Sequence, residues 1–112
     1  MAKGADRLAH EETLNVKGKT IAIMGSGFNH IYPVENVDLY NRILDEGGLV
    51  LTEYPNQMGF KSSNFPYRNR IISGLSKAVL IIEAKYRSGT SITAKYAWEQ
   101  GKIVYALPRK IR

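Results

Sequence analysis

Four short runs of apolar and β-branched residues, each closed by glycine, proline or a polar loop and separated by stretches long enough for a helix, constrain this chain more than any other feature. They are Thr20-Ile21-Ala22-Ile23-Met24, Leu49-Val50-Leu51-Thr52-Glu53, Lys77-Ala78-Val79-Leu80-Ile81-Ile82-Glu83 and Ile103-Val104-Tyr105-Ala106-Leu107. Runs of this length read as strands. When helices alternate with strands, successive strands are joined by crossovers and the sheet is parallel. The chain therefore reads as one α/β domain over residues 1–112, a three-layer α/β/α Rossmann-like sandwich with a mainly parallel sheet. The third run is apolar at alternating positions on both faces, which predicts a central strand buried on both sides.

The helices follow from spacing and punctuation. Ala5 to Asn15 reads as a helix with Leu8 and Leu14 facing inward. After Pro33, Val37, Tyr40 and Leu44 recur at helical spacing, Glu35 and Asp38 sit early where the helix dipole favours them, and Gly47-Gly48 supplies the C-cap. Asn64 caps a helix running to Leu75, with Pro66 in its first turn. Ser88 or Thr90 caps a last helix whose apolar face is Ile92, Tyr96 and Trp98, and Gly101 ends it. Tyr54 to Ser63 is a loop long enough to be functional.

Sixteen Lys and Arg against ten Asp and Glu leave a formal net charge of +6 over 112 residues, which favours an anionic partner such as nucleic acid. Zero cysteines exclude disulfides, thiolate nucleophiles and Cys-ligated metal, and two histidines argue against a multi-histidine centre. No metal and no cofactor are expected. No apolar run approaches the roughly 18 residues of a membrane span, and no signal-like core follows the N-terminus, so the chain reads as cytoplasmic.

In open α/β sheets, ligands bind beyond the carboxyl ends of the strands, which directs attention to the loops there. Gly25-Ser26-Gly27 follows the first strand, where missing side chains let phosphate approach backbone N–H groups. Position 30 is His where a dinucleotide fingerprint has its third glycine, so a plain β–α turn competes with a phosphate site. Glu53 and Glu83, at strand ends, are candidates for a ribose hydroxyl or a polarised water, or simply solvated carboxylates.

Asn64-Phe65-Pro66-Tyr67-Arg68-Asn69-Arg70 is more informative. At about 100° per residue, Arg68 falls in the stripe of Phe65, Ile71, Ile72 and Leu75, with Arg70 on the opposite side. A guanidinium in an apolar stripe near a helix start needs an anion, either a phosphate or an internal Glu53 or Glu83. Lys85-Tyr86-Arg87-Ser88-Gly89-Thr90 opens the last helix and forms a second candidate phosphate cradle, without the Gly-Lys-Ser/Thr order of a nucleotide-hydrolysing loop. Phe28, Tyr32, Tyr54, Phe60, Phe65, Tyr67 and Tyr86 lie in or beside these loops. Aromatics interleaved with cations suit single-stranded nucleic acid, with Phe65 and Tyr67 as candidate stacking residues. The terminal Arg109-Lys110-Ile111-Arg112 extends such a groove or is a solvated tail.

The blocks Gly4-Ala5-Asp6 with Ala9-His10, Ile23-Met24-Gly25-Ser26-Gly27, Ile31-Tyr32-Pro33, Glu53-Tyr54-Pro55, Phe65-Pro66-x-Arg68-Asn69-Arg70-Ile71-Ile72, Glu83-Ala84 and Arg87-Ser88-Gly89-Thr90 together resemble the DNA-processing protein A family, also called Smf, over residues 4–108. The resemblance implies a Rossmann-like domain without catalysis that binds single-stranded DNA during natural transformation, protects it, dimerises and helps load the RecA recombinase. By position, Arg68, Asn69, Arg70, Lys85, Arg87, Ser88 and Gly89 match the blocks lining that family's basic pocket, and Gly25 and Gly27 match its glycine turn. It also implies a partial domain: the family's preceding strand, with its glycine–arginine motif, would lie before Met1, and the Pro-Gly after the fourth strand reads Pro108-Arg109 here. The alternative is a nucleotide-binding enzyme similar to nucleoside-monophosphate phosphoribohydrolases, with Glu83 or Glu53 as acid/base. That family's Pro-Gly-Gly-x-Gly-Thr loop is missing.

Overall fold

The computed structural model describes residues 5–82 and 89–107, with side chains over 6–82 and 92–107. The chain is α/β with parallel strands, in the order α1 (Ala5–Asn15), β1 (Ile21–Ile23), a 3₁₀ turn (Val34–Asn36), α2 (Val37–Asp45), β2 (Leu49–Leu51), α3 (Asn64–Leu75), β3 (Ala78–Ile81), α4 (Gly89–Glu99) and β4 (Ile103–Ala106). It divides into two compact units, Met1–Asn64 and Phe65–Arg112.

In the first unit β1 and β2 pair in parallel, Ile21 against Leu49, Ala22 against Val50 and Ile23 against Leu51. Leu14 of α1, Ala22 and Met24 of the first strand segment, Leu39 and Ile43 of α2 and Val50 of β2 make the core, with Ile31 and Tyr40 packed against it. The buried stripe of α2 differs from the predicted one. Leu39 and Ile43 are inside, whereas Val37 and Leu44 are exposed. The turn Val34–Asn36 sets the phase, because buried Asn36 continues the line of Leu39 and Ile43 at steps of three and four residues. Each fully buried Leu or Ile stabilises by about 1.5–3 kcal/mol, enough for the deeper pair to decide the rotation of the helix. Leu14 of α1 faces inward as expected, but Leu8 is exposed. In α1 the face bearing Arg7 instead meets the start of α2: Arg7 donates to the Glu35 carbonyl at 3.0 Å and to Asn36 Oδ1 at 2.6 Å, and pairs with Glu11 at 2.5 Å and Asp38 at 3.4 Å. After α2, Gly47 takes φ 85° and the Gly48 N–H donates to the Ile43 carbonyl, the glycine C-cap that returns the chain to β2.

In the second unit β3 and β4 pair in parallel from Ala78 against Ile103 to Ile81 against Ala106, and the Leu107 N–H donates to the Ile81 carbonyl. The helix α4 packs on both strands, with Ala97 wholly buried. The strand β3 is not buried on both sides: Val79 and Ile81 are half-buried, while Ala78, Leu80 and Ile82 are exposed. Ile103 and Tyr105 show the same alternation. A single helix layer shields one face of a pleated pair and leaves the other to solvent. Trp98, expected on the apolar face of α4, instead lies one step past buried Ala97 and is 79% exposed. Among the described residues no helix is long and apolar enough to cross a membrane.

Candidate nucleic-acid interface

The turn after β1 is held by its own unit. Ser26 Oγ donates to the His30 carbonyl at 2.6 Å, Thr52 Oγ1 donates to the Ser26 carbonyl at 2.7 Å, and Asn64 Nδ2 donates to the Gly25 carbonyl at 2.9 Å. The Gly27 N–H donates to the Met58 carbonyl at 2.8 Å. A Cβ at Gly27 would lie 1.9 Å from the Pro55 carbonyl oxygen and 2.6 Å from that of Asn56. In this turn glycine admits the loop that follows Glu53, and the Gly27 amide is engaged with it. Ser26, 2% exposed, is a buried brace.

The start of α3 has a different character. The most buried positions of this helix are polar: Arg68 at 3%, Asn69 at 8% and Ser73 at 0% exposure, whereas Leu75, predicted to share the stripe, is 60% exposed. Ser73 Oγ is within 3.2 Å of the Asn69 and Arg70 carbonyls, and Gln100, just beyond α4, donates to the Arg70 carbonyl at 3.0 Å. These contacts hold the helix in register with its polar line inward. Each arginine is stacked on a ring one turn back. The Arg68 guanidinium carbon lies 5.0 Å from the Phe65 centroid and that of Arg70 lies 4.1 Å from the Tyr67 centroid. Both arginines take part in further interactions. Cation–π contacts at such distances contribute about 0.5–2 kcal/mol and hold the plane of the guanidinium against the ring. Tyr67 is half-exposed, so the Arg70–Tyr67 pair meets solvent with a cation and a π face together.

Phe65, Tyr67, Arg68, Asn69 and Arg70 thus come together on two turns of one helix. Gly89 and Thr90 form the first turn of α4. Lys85, Arg87, Ser88, Glu83, Tyr86 and the segment 109–112 lie outside the described residues. Among the described residues no three His, Cys, Asp or Glu side chains gather to hold a metal ion. Sequence reasoning missed the brace of Asn64 on Gly25 and the burial of Asn69 and Ser73. The i, i+4 spacing of Asn69 and Ser73, read as a polar stripe instead of an apolar one, was the available signal.

Fold and helix start define a class: an α/β protein with parallel strands and two ring-stacked arginines, one buried and one partly at the surface, on a helix opening. The family model described as DNA recombination-mediator protein A matches residues 1–112, and the chain belongs to that family. It is 47% identical to Protein Smf of Escherichia coli K12 over 99% of this chain and 30% of that protein. It is 46% identical to DNA processing protein DprA of Streptococcus pneumoniae R6, over 99% of this chain and 39% of that protein. The chain therefore spans roughly a third of the length of these relatives. The X-ray structure of DNA processing protein A from Streptococcus pneumoniae superposes with TM-score 0.89 at 44% identity, over 98% of this chain and 38% of that one. The Helicobacter pylori protein, a structure describing a single-stranded DNA binding mode, superposes with TM-score 0.88 at 32% identity, over 98% and 49%.

Proposed function

We propose that this chain binds single-stranded DNA without regard to sequence and without catalysis. Phosphate meets Arg70 and a base stacks beside it on exposed Tyr67, while Arg68, stacked on Phe65, and Asn69, 3% and 8% exposed, hold the helix opening from inside. Lys85, Arg87, Ser88, Gly89 and Thr90 are proposed to add further phosphate contacts. The observation that carries this is the pair of ring-stacked arginines at the opening of α3 in a member of a recombination-mediator family. Stacked guanidiniums neutralise phosphate while adjacent rings accept bases, a combination that tolerates any sequence. The +6 charge supports the same partner. In the cytoplasm such a chain would hold incoming strands during DNA uptake, protect them and help load the RecA recombinase, acting as a homodimer. The family assignment favours this over a phosphoribohydrolase. Anisotropy titration of a labelled oligothymidylate at low and moderate salt, beside Arg70→Ala, tests it. Salt-sensitive binding weakened in the variant is expected, and binding insensitive to both salt and Arg70 contradicts it.

A further inference from the structure

Tyr32 and Phe60, both in the first unit, stack with centroids 3.9 Å apart and planes 15° apart. The segments that carry them are tied together by backbone. The Gly27 N–H donates to the Met58 carbonyl and the Asn29 N–H to the Asn56 carbonyl at 3.1 Å, and the absent Cβ of Gly27 lets the Pro55 carbonyl close in. Ile31, next to Tyr32, packs on the core and fixes the backbone at that point. The stack itself stays out of the core: Tyr32 is 44% exposed and Phe60 half-buried. Lys61 and His30, the residues adjoining this pair in sequence, are exposed.

A lone exposed ring is ordinary, but a ring backed by a second ring and held by two braced loops is a preformed flat shelf that loses little entropy on receiving a planar ligand. A neighbouring cation adds attraction for a phosphate. The ligand with both features is an unpaired nucleotide. We propose that Tyr32, backed by Phe60, stacks one base of a single strand, with Lys61 serving an adjoining phosphate. The proposal rests on the single-stranded DNA reading above and adds a base-stacking position that α3 does not supply.

Anisotropy titrations of the 112-residue chain with a labelled oligothymidylate and with an abasic oligomer of equal length separate base from phosphate contacts. Tyr32→Leu should weaken oligothymidylate binding roughly tenfold and leave abasic binding and its salt slope unchanged. Tyr32→Phe should bind as the unaltered chain does, and Tyr32→Trp should bind oligothymidylate more tightly. Circular dichroism confirms that each variant folds, and the Trp variant carries the test should the Leu variant unfold. Equal weakening on both oligomers by Tyr32→Leu, or no gain with Trp in a folded chain, overturns the proposal. If Arg70→Ala weakens both oligomers while Tyr32→Leu weakens neither, DNA binding stands and this shelf falls. Failure of the unaltered chain to bind either oligomer overturns both.

Discussion

Arg70 lies over Tyr67, its guanidinium carbon 4.1 Å from the ring centroid, so the most exposed ring of the α3 opening and a cation act as one unit. Under the proposed function, removing the cation removes a phosphate contact, and removing the ring frees the cation to sample other rotamers. Arg70→Ala should lower oligonucleotide affinity alike for all sequences and reduce the slope of log K against log salt by about 1. Tyr67→Ala should lower affinity with a smaller change of slope, and Tyr67→Phe, which keeps the ring, should change neither. A salt series of binding titrations on the three variants checks the order.

Arg68 asks a different question because it is 3% exposed and stacked at 5.0 Å on Phe65. Its aliphatic stem packs as well as its charge, so truncation empties space inside the unit. Arg68→Ala should cost about 1–3 kcal/mol of stability, and Arg68→Lys should recover little, since an ammonium lacks the planar face that stacks. Urea unfolding of both variants measures this, and full recovery by Lys would show that charge alone matters there.

Gly27 is fixed by a neighbour that cannot retreat. A Cβ would sit 1.9 Å from the Pro55 carbonyl oxygen, a backbone atom in a loop also held by Met58 and Asn56. Gly27→Ala should therefore destabilise by about 1–3 kcal/mol or more, the cost of overpacking where backbone must shift. A midpoint of urea unfolding equal to that of the unaltered chain would contradict the packing role given to this glycine.

Much of the fold was legible because strands and helix ends are written locally. The four apolar runs, Gly47-Gly48 and Gly101 each fix a strand or a helix end through nearby residues, and every predicted helix is present. What was not legible depended on partners distant in sequence. The rotation of α2 is set by Asn36, Leu39 and Ile43 meeting Leu14 and Val50, which no spacing of Val37, Tyr40 and Leu44 reveals. The inward turn of Leu8 failed because Arg7 and not an apolar group meets α2. Within the candidate site, the motif from Phe65 to Arg70 marked the right helix. Its buried line was misread as apolar because Asn69 and Ser73 satisfy their polar groups inside the structure, which composition alone does not show.

Acid should loosen the α1–α2 clasp. The Leu39 N–H, donating to Asp38 Oδ1 at 2.9 Å, is the main influence holding the Asp38 carboxyl below its ordinary 3.8, with Arg7 adding to it against desolvation. For Arg7 desolvation works downward, but hydrogen bonds and charge from Glu11 and Asp38 outweigh it and raise its pKa, so Arg7 stays cationic throughout. A carboxyl lowered in the folded chain binds protons more readily when unfolded. Its contribution is therefore complete above the unfolded value of 3.8 and disappears as pH falls through the lower folded value. Unfolding curves for the unaltered chain and Asp38→Asn should differ at pH 6 and converge as pH drops below the ordinary carboxylate range. Both groups are at the surface, so added salt should shrink the pH 6 difference. A difference that persists unchanged into strong acid would show that Asp38 acts through packing, not through its charge.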